Sequence, residues 1–471
     1  MAAVNETTHS LSQSNIKQYH AHTAIYLYVL SMLLLFCGFY NNQWHVAEQN
    51  WFVSHQHDME SYVVGRVAKS HQSGIFSRGG LLGIGNRSEK GPRYRDGLWV
   101  FDYQYAAYLN NLPLKSFTIY KSQIGGQGIL FSTLSKVIRL APRLKLTLFY
   151  TIASLLSAAV LSLIILWFYR ECGLIVSILV LASTIISPWL VVFGRNLFWS
   201  LWAFYLPMVM VMYFLRRHRA ATRLPAGTFT CLVFIGVLIK VIFNGYEYIT
   251  TTLVMLLVPL VFYCALDSRG MRWFLRNALL AGTASGCAIL LSLAILCFQI
   301  YSTEGSLLSG VNHILFSLMK RTHANALNFP PECAASLQAT IGQVVWTYLK
   351  GTFFDINNYA VTHNAFIARY VFNIRYSYLL IIFIIATVLF LVRREKPGHS
   401  IQWSKCTALV IATWFAVLAP LSWYIIFKAH SFLHTHMNFI VWQMPFTLFG
   451  FALCGSVTRV YSLSLIKRFS S

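Results

Sequence analysis

The sequence predicts an all-α polytopic membrane protein with about ten transmembrane helices. Three observations predict it. Charged residues make up 11% of the 471-residue chain and hydrophobic ones 57%, whereas soluble domains carry about 25% charged residues. Apolar runs recur that match the roughly 30 Å hydrocarbon core. The short connections between alternate runs are basic, the pattern that orients membrane proteins. The net charge of +23 has the same reading. No compact Lys/Arg run or aromatic RNA motif accompanies it, so nucleic acid is not an expected partner.

In chain order, residues 1–23 read as a polar cytoplasmic tail. They lack the basic stretch, short apolar core and cleavage site of a signal peptide, so the first span, 24–40, is expected to remain as an anchor. A long external excursion, 41–145, follows. Further spans are expected at 146–168, 173–193, 197–215, 227–244, 248–265 and 278–300, which makes 24–300 a transmembrane catalytic region. A second external loop occupies 301–375. Spans at 376–392, 405–427 and 438–455 and a cytoplasmic tail complete 376–471. Arg216, Arg217, Arg219 and Arg223, then Arg269, Arg272 and Arg276, then Arg393, Arg394 and Lys396, and finally Arg459, Lys467 and Arg468 fall on one side, cytoplasmic by the positive-inside rule.

The excursion carries its own pattern. Met59, Tyr62, Val63 and Val67 have helical spacing and predict an amphipathic helix over 59–70 lying on the bilayer. Ile129 to Arg139 predicts a second interfacial helix. Gly79 to Gly97 reads as a loop and holds the sequon Asn86-Arg87-Ser88. In the second loop one helix is expected, over 334–350. The nine cysteines include no CxxC pair and lie mostly in apolar runs, as small buried residues rather than a disulfide framework. No internal repeat of the transporter kind is present.

The candidate chemistry begins at Asp58-Met59-Glu60. Acids are scarce, 14 against 37 Lys plus Arg, and two sit here. Asp58 reads either as a helix N-cap or as a general base that takes a proton from an attacking hydroxyl, with Glu60 orienting the acceptor. On an ideal helix, i and i+2 face different ways, so one shared site requires Asp58 outside the helix. His55 and His57 add metal-ligand types, which makes a divalent metal a candidate cofactor, but no structural-zinc spacing accompanies them. Arg195 lies in a tight turn among Trp189, Trp199 and Trp202. It reads as a snorkelling anchor or a phosphate clamp. Lys240 and Glu247 flank the next turn and are expected to pair. Lys428, His430, His434 and His436 form a cation and imidazole cluster suited to an anion. Arg66, Gln123, Glu247, Arg369 and Arg375 are further substrate-binding candidates.

One span, a large external loop with an acidic pair near its start, interfacial helices, many spans with short turns and a late second loop together resemble the GT-C class of polytopic glycosyltransferases. That class includes protein O-mannosyltransferases, aminoarabinose lipid A transferases and oligosaccharyltransferases. The motif part of the resemblance is Asp58-Met59-Glu60, comparable to the acidic pair of the family's first external loop. The WWDxG-type signature of oligosaccharyltransferases is absent. The resemblance implies an inverting glycosyltransferase in a bacterial plasma membrane, acting at its external face. It implies a polyprenyl-phosphate-linked sugar as donor and a glycan, lipid or protein acceptor. Asp58 is then the base, with Arg195, Lys428, His430, His434 and His436 stabilising the leaving phosphate. Two rivals stand beside it. A polymerase or ligase of polyprenyl-linked glycans would rely on Arg369 and Arg375. A flippase would place charges in mid-membrane.

Overall fold

The computed structural model describes residues 2–87, 100–360, 362, 364–393 and 401–469, and their side chains except in 2–20, at 332 and in 463–469. Ser88 of the sequon, Arg394 and Lys396, and the side chains of Lys467 and Arg468, lie outside the described residues. The first helix, α1, is Ala2–Asn41, followed by α2 (Gln49–Ser73). Strand β1 (Gly83–Asn86), helix α3 (Val100–Leu109), strand β2 (Ser116–Ile119) and helix α4 (Gly126–Val137) come next. The bundle continues with α5 (Pro142–Cys172), α6 (Leu174–Ile185), α7 (Pro188–Gly194), α8 (Leu201–Arg217), α9 (Ala226–Asn244), α10 (Ile249–Leu266) and α11 (Met271–Glu304). Then come α12 (Leu307–Arg321), α13 (Ala334–Gln338), α14 (Ile341–Lys350) and the short strands β3 (Thr352–Asp355) and β4 (Asn373–Arg375). The chain ends with α15 (Tyr376–Val392), α16 (Ile401–Ala416), α17 (Leu418–Ile426), α18 (Lys428–Leu433) and α19 (Phe446–Phe469).

Among the described residues, six helical segments are long and apolar enough to cross a membrane, or seven if α6 and α7, bent by 70°, count as one. The chain is therefore a multi-pass membrane protein, and the ten spans expected are not all matched by such helices among the described residues. Several of the expected runs are broken or short. Pro188 opens a new helix inside 173–193, α8 and α15 stop at 17 residues, and the start of 438–455 is a 3₁₀ turn, Asn438–Gln443.

The excursion is folded into the protein. The helix expected over 59–70 is the second half of α2, and it does not lie on the bilayer. Phe52, Gln56, Glu60, Val63 and Val67 recur every three to four residues and are all buried, under α3, α4 and the hairpin strand β1. β1 and β2 pair antiparallel, Gly83 opposite Ile119 and Asn86 opposite Ser116. The Asn86 amide is engaged there, donating to the hydroxyls of Ser116 and Thr118 at 3.2 Å each. The helix expected over 334–350 is two helices. Thr340 starts α14 through a reciprocal capping box with Gln343 (3.2 and 2.8 Å), which frees the chain to turn between them.

The second loop holds a helix the sequence reading missed. After Gly305, at φ 72°, α12 folds back along α11. A Cβ added at Gly310 would lie 3.1 Å from the Cα of Cys297, so the hairpin closes on glycine. Its signal was present: Leu307, Leu308, Val311, Ile314, Leu315 and Leu318 at helical spacing after Ser306, which accepts from the Ser309 amide at 3.4 Å.

The bundle has two polar ends. At one, Glu171, at the end of α5, pairs with Arg216, and Asp267 pairs with Arg219 at 2.7 Å. The short basic loops meet there. At the other, α2, the turn Gly194–Ser200 and the α9–α10 turn are tied by side chains. Gln56 donates to the Val192 carbonyl (2.8 Å) and accepts from Asn196 (3.0 Å), while Asn244 bonds both the Ser200 amide and carbonyl (2.9 Å each).

Gly65 marks the closest approach inside this end. A Cβ there would collide with the Gly83 carbonyl and stand 2.7 Å from Gln104 Oε1, the atom that accepts from the Gly85 amide. Gly65→Ala is expected to cost about 1–3 kcal/mol, as overpacking does, read as a lowered unfolding midpoint in detergent.

Candidate functional site

The acidic pair diverges. Both residues lie in the middle of α2, so Asp58 is not a cap. Two positions apart on a helix, the carboxylates point to different neighbours. Glu60 is fully buried. It accepts from Tyr105 (2.9 Å), Tyr150 (2.8 Å) and the Leu197 amide (3.1 Å). Burial raises its pKa, and Arg195 and these three donors work against that rise. These bonds tie α2 to α3, α5 and the turn before α8.

Asp58 is half-buried and lines a cavity of about 190 Å³ with Trp51, His55, Trp199 and His436. Burial raises its pKa and nearby His436 draws it back down. A carboxylate with a raised pKa, on a cavity, is suited to taking a proton.

Arg195 stands with Glu60, away from the histidines. Its guanidinium lies 4.6 Å from the Tyr150 ring centre and 5.0 Å from that of Phe52, and donates to the Tyr40 carbonyl (3.1 Å). It is thus packed between rings and set apart from the histidines with which the sequence grouped it. Lys428 is likewise committed: Nζ donates to the carbonyls of Leu337 and Ala339 at 2.8 and 2.7 Å, closing the end of α13. Arg66 is buried and donates to the carbonyls of Gly74 (2.9 Å) and Ser77 (2.6 Å), closing the end of α2. Gln123 is buried against Gly245. Arg369 and Arg375 flank the Tyr370 ring on the surface, 5.5 and 5.4 Å from its centre. None of these lines the Asp58 cavity.

Of the histidines of 428–436, His430 meets Glu247. This carboxylate is buried in the α9–α10 turn, 3.0 Å from Arg321 and 3.1 Å from His430 Nε2. The His430 approach has ion-pair distance but not hydrogen-bond alignment. Lys240 does not pair with the carboxylate. Its ammonium donates to the carbonyls of Gly245 (2.8 Å) and Glu247 (2.5 Å), fixing the turn. Burial would raise the Glu247 pKa, but Arg321 and His430 outweigh it and hold it well below the carboxylate range. From His430 the rings continue: His434 at 4.5 Å and His436 at 5.5 Å beyond it. Burial, with His430 beside it, pushes His434 down to about 3. Partial burial lowers His436 against the pull of Asp58. Of the two states the sequence left open, His434 and His436 are therefore in the neutral, hydrogen-bonding one at neutral pH.

A second cavity opens at Arg321. It is an apolar groove of about 280 Å³ between α10, α11 and α12, with Leu253, Leu293, Ile314 and Leu318 among its walls. Lys121, His313 and Arg321 are its basic groups, and Lys121 also pairs with Glu304. The sequence reading named none of the three, because each lies in a segment whose contact with the α9–α10 turn is set by tertiary folding. Thus a ladder of Arg321, Glu247, His430, His434 and His436 joins an apolar groove to the cavity of Asp58. Comparison with protein-family models, curated proteins and solved structures finds no match to this chain.

The proposed metal pair does not converge. His57 Nδ1 is 3.0 Å from Asp102 and its ring stacks on Tyr105, whereas His55 packs on Phe193. Among the described residues no group of three His, Cys, Asp or Glu is placed to hold a metal ion.

Glu247→Gln leaves Arg321 without its counter-charge. Breaking a buried pair costs about 3–5 kcal/mol, and Arg321 is 17% exposed, so the low end is expected. The sign with pH follows from the lowered pKa. The pair's contribution is complete above the ordinary carboxylate value of 4.5 and is lost as pH falls below it. Unfolding midpoints of the wild type are expected to drop with acidification below about that pH, and the drop to be smaller in Glu247→Gln.

Proposed function

We propose that the chain is an inverting glycosyltransferase of GT-C type, moving a sugar from a polyprenyl-phosphate-linked donor to an acceptor hydroxyl. The observation that carries this reading is the pairing of two unlike cavities: an apolar, cation-edged groove and a carboxylate-bearing pocket, joined by the Glu247–histidine ladder. An isoprenoid chain suits the groove between α10, α11 and α12, whose walls are almost wholly apolar. Its phosphate then passes Arg321 to lie along the histidine ladder, so that the anomeric carbon bonded to it stands by His436 within reach of an acceptor oxygen held at Asp58. The basic short loops at the opposite end of the bundle support an external position for this end.

In the transfer, Asp58 accepts the proton as the acceptor oxygen bonds to the anomeric carbon. The bond from that carbon to the phosphate oxygen breaks, and the phosphate leaves with the electron pair. Arg321 and the N–H groups of the neutral histidines meet the charge that builds on the leaving oxygen, where preorganised donors act most strongly. A single displacement inverts the anomeric centre.

Two variants separate the roles. Asp58→Asn is expected to lower turnover of polyprenyl-phosphate sugars by about 10²–10⁴-fold, the range for a general base, with undecaprenyl phosphate binding unchanged. Wild-type turnover should rise with pH through a value above the ordinary aspartate 3.8, since burial raises the Asp58 pKa. Leu293→Trp, which fills the groove, should abolish undecaprenyl phosphate binding while the protein still folds. Normal binding by Leu293→Trp would contradict the reading.

A further inference from the structure

The Asp58 cavity also carries information about the acceptor. Its lining includes no lysine or arginine among the described residues, in contrast to the groove. An acceptor bearing a phosphate or carboxylate in this pocket would lie beside Asp58 with no cation to offset it. The acceptor portion that enters is therefore uncharged.

The walls are aromatic and held rigidly. Trp51 is half-exposed and braced edge-on by Trp189 at 4.9 Å, and Trp199 is braced by Phe198 at 4.8 Å. A pyranose has an apolar C–H face that packs on such walls and a polar edge of hydroxyls. Pockets of this kind combine apolar walls with a few fixed polar groups.

His55 supplies the specific polar group. Its Nε2 is sealed from solvent and has no hydrogen-bond partner in the protein among the described residues. The ring is held by Phe193 (5.3 Å) and Trp51 (6.1 Å) and lines the cavity one helical turn from Asp58. Burial, reinforced by His436, holds its pKa down to about 4, so it is a neutral imidazole at pH 7. A buried polar atom without a partner is costly, and a ligand hydroxyl, which can donate or accept, satisfies either tautomer.

We infer that the acceptor is a neutral glycan, with one pyranose seated between Trp51 and Trp199. One hydroxyl faces Asp58, and its neighbour hydrogen-bonds to His55, which acts as a positioning residue. The inference rests on the glycosyl-transfer reading and narrows it, since that reading alone allows a glycan, a lipid or a protein acceptor.

The test is saturation-transfer NMR on the full chain in detergent. The probes are methyl glucoside, galactoside, mannoside and N-acetylglucosaminide, glucose 6-phosphate, and a blocked Ala-Thr-Ala peptide. At least one neutral glycoside is expected to bind in the millimolar range, without competition from the peptide or the sugar phosphate. His55→Phe, which keeps the ring packing, should weaken that glycoside by roughly five- to tenfold, the loss of one neutral hydrogen bond. His55→Asn should recover part of it, and both variants should bind undecaprenyl phosphate as the wild type does. Binding of the peptide or the sugar phosphate with no neutral glycoside would overturn the inference, as would equal glycoside binding by His55→Phe. Undecaprenyl phosphate binding in the same sample separates the two levels. If it persists while no glycoside binds, only the acceptor assignment fails. If it is absent, the parent reading fails.

Discussion

Glu247 is the residue on which this end of the molecule depends. A carboxylate buried in a turn between two helices is costly unless opposite charge and hydrogen-bond donors surround it. Here Arg321 brings the end of α12 to it and His430 brings α18 to it. Lys240 fixes the turn itself through two carbonyls. Without that carboxylate Arg321 would keep Tyr120 as a polar partner but lose its counter-charge at the edge of an otherwise apolar groove, and His430 would lose the group it faces. One buried acid thus sets both the basic end of the groove and the start of the histidine ladder.

The second constraint is α2. Of the polar residues on its buried face, Gln56 and Glu60 reach the turn 192–197. That turn in turn positions Trp199, which walls the Asp58 cavity. Asp58 is left facing a cavity, whereas Glu60 is tied to three protein donors.

The sequence made the helical membrane class and most helix locations legible, because apolar run length is a local property. It made the separation of Asp58 and Glu60 legible too, as a consequence of helical spacing. It did not reveal how far α2 extends, since polar Gln56 and Glu60 on the buried face mask the amphipathic pattern. It misplaced Arg195 and Lys428, because a cation near the membrane edge looks alike whether it faces a ligand, an aromatic ring or a helix end. Arg321 was missed for the converse reason: its partner Glu247 is 74 positions earlier in the chain, and only the fold brings the two together. The histidines at 430, 434 and 436 were grouped correctly, but their charge state depends on burial, which spacing does not encode.

The two cavities differ in electrostatics as a donor and an acceptor site should. The groove between α10, α11 and α12 is apolar with cations at hand, and the pocket of α2 is aromatic with a carboxylate and no cation. The central claim is that an isoprenoid phosphate occupies the groove. It is tested most directly by photo-crosslinking with a diazirine-bearing polyprenyl phosphate, followed by peptide mapping. The account predicts labels on Leu253, Leu293 and Ile314 or their immediate neighbours, competed away by undecaprenyl phosphate. Competable labelling confined to other helices, with none on α10, α11 or α12, would contradict it.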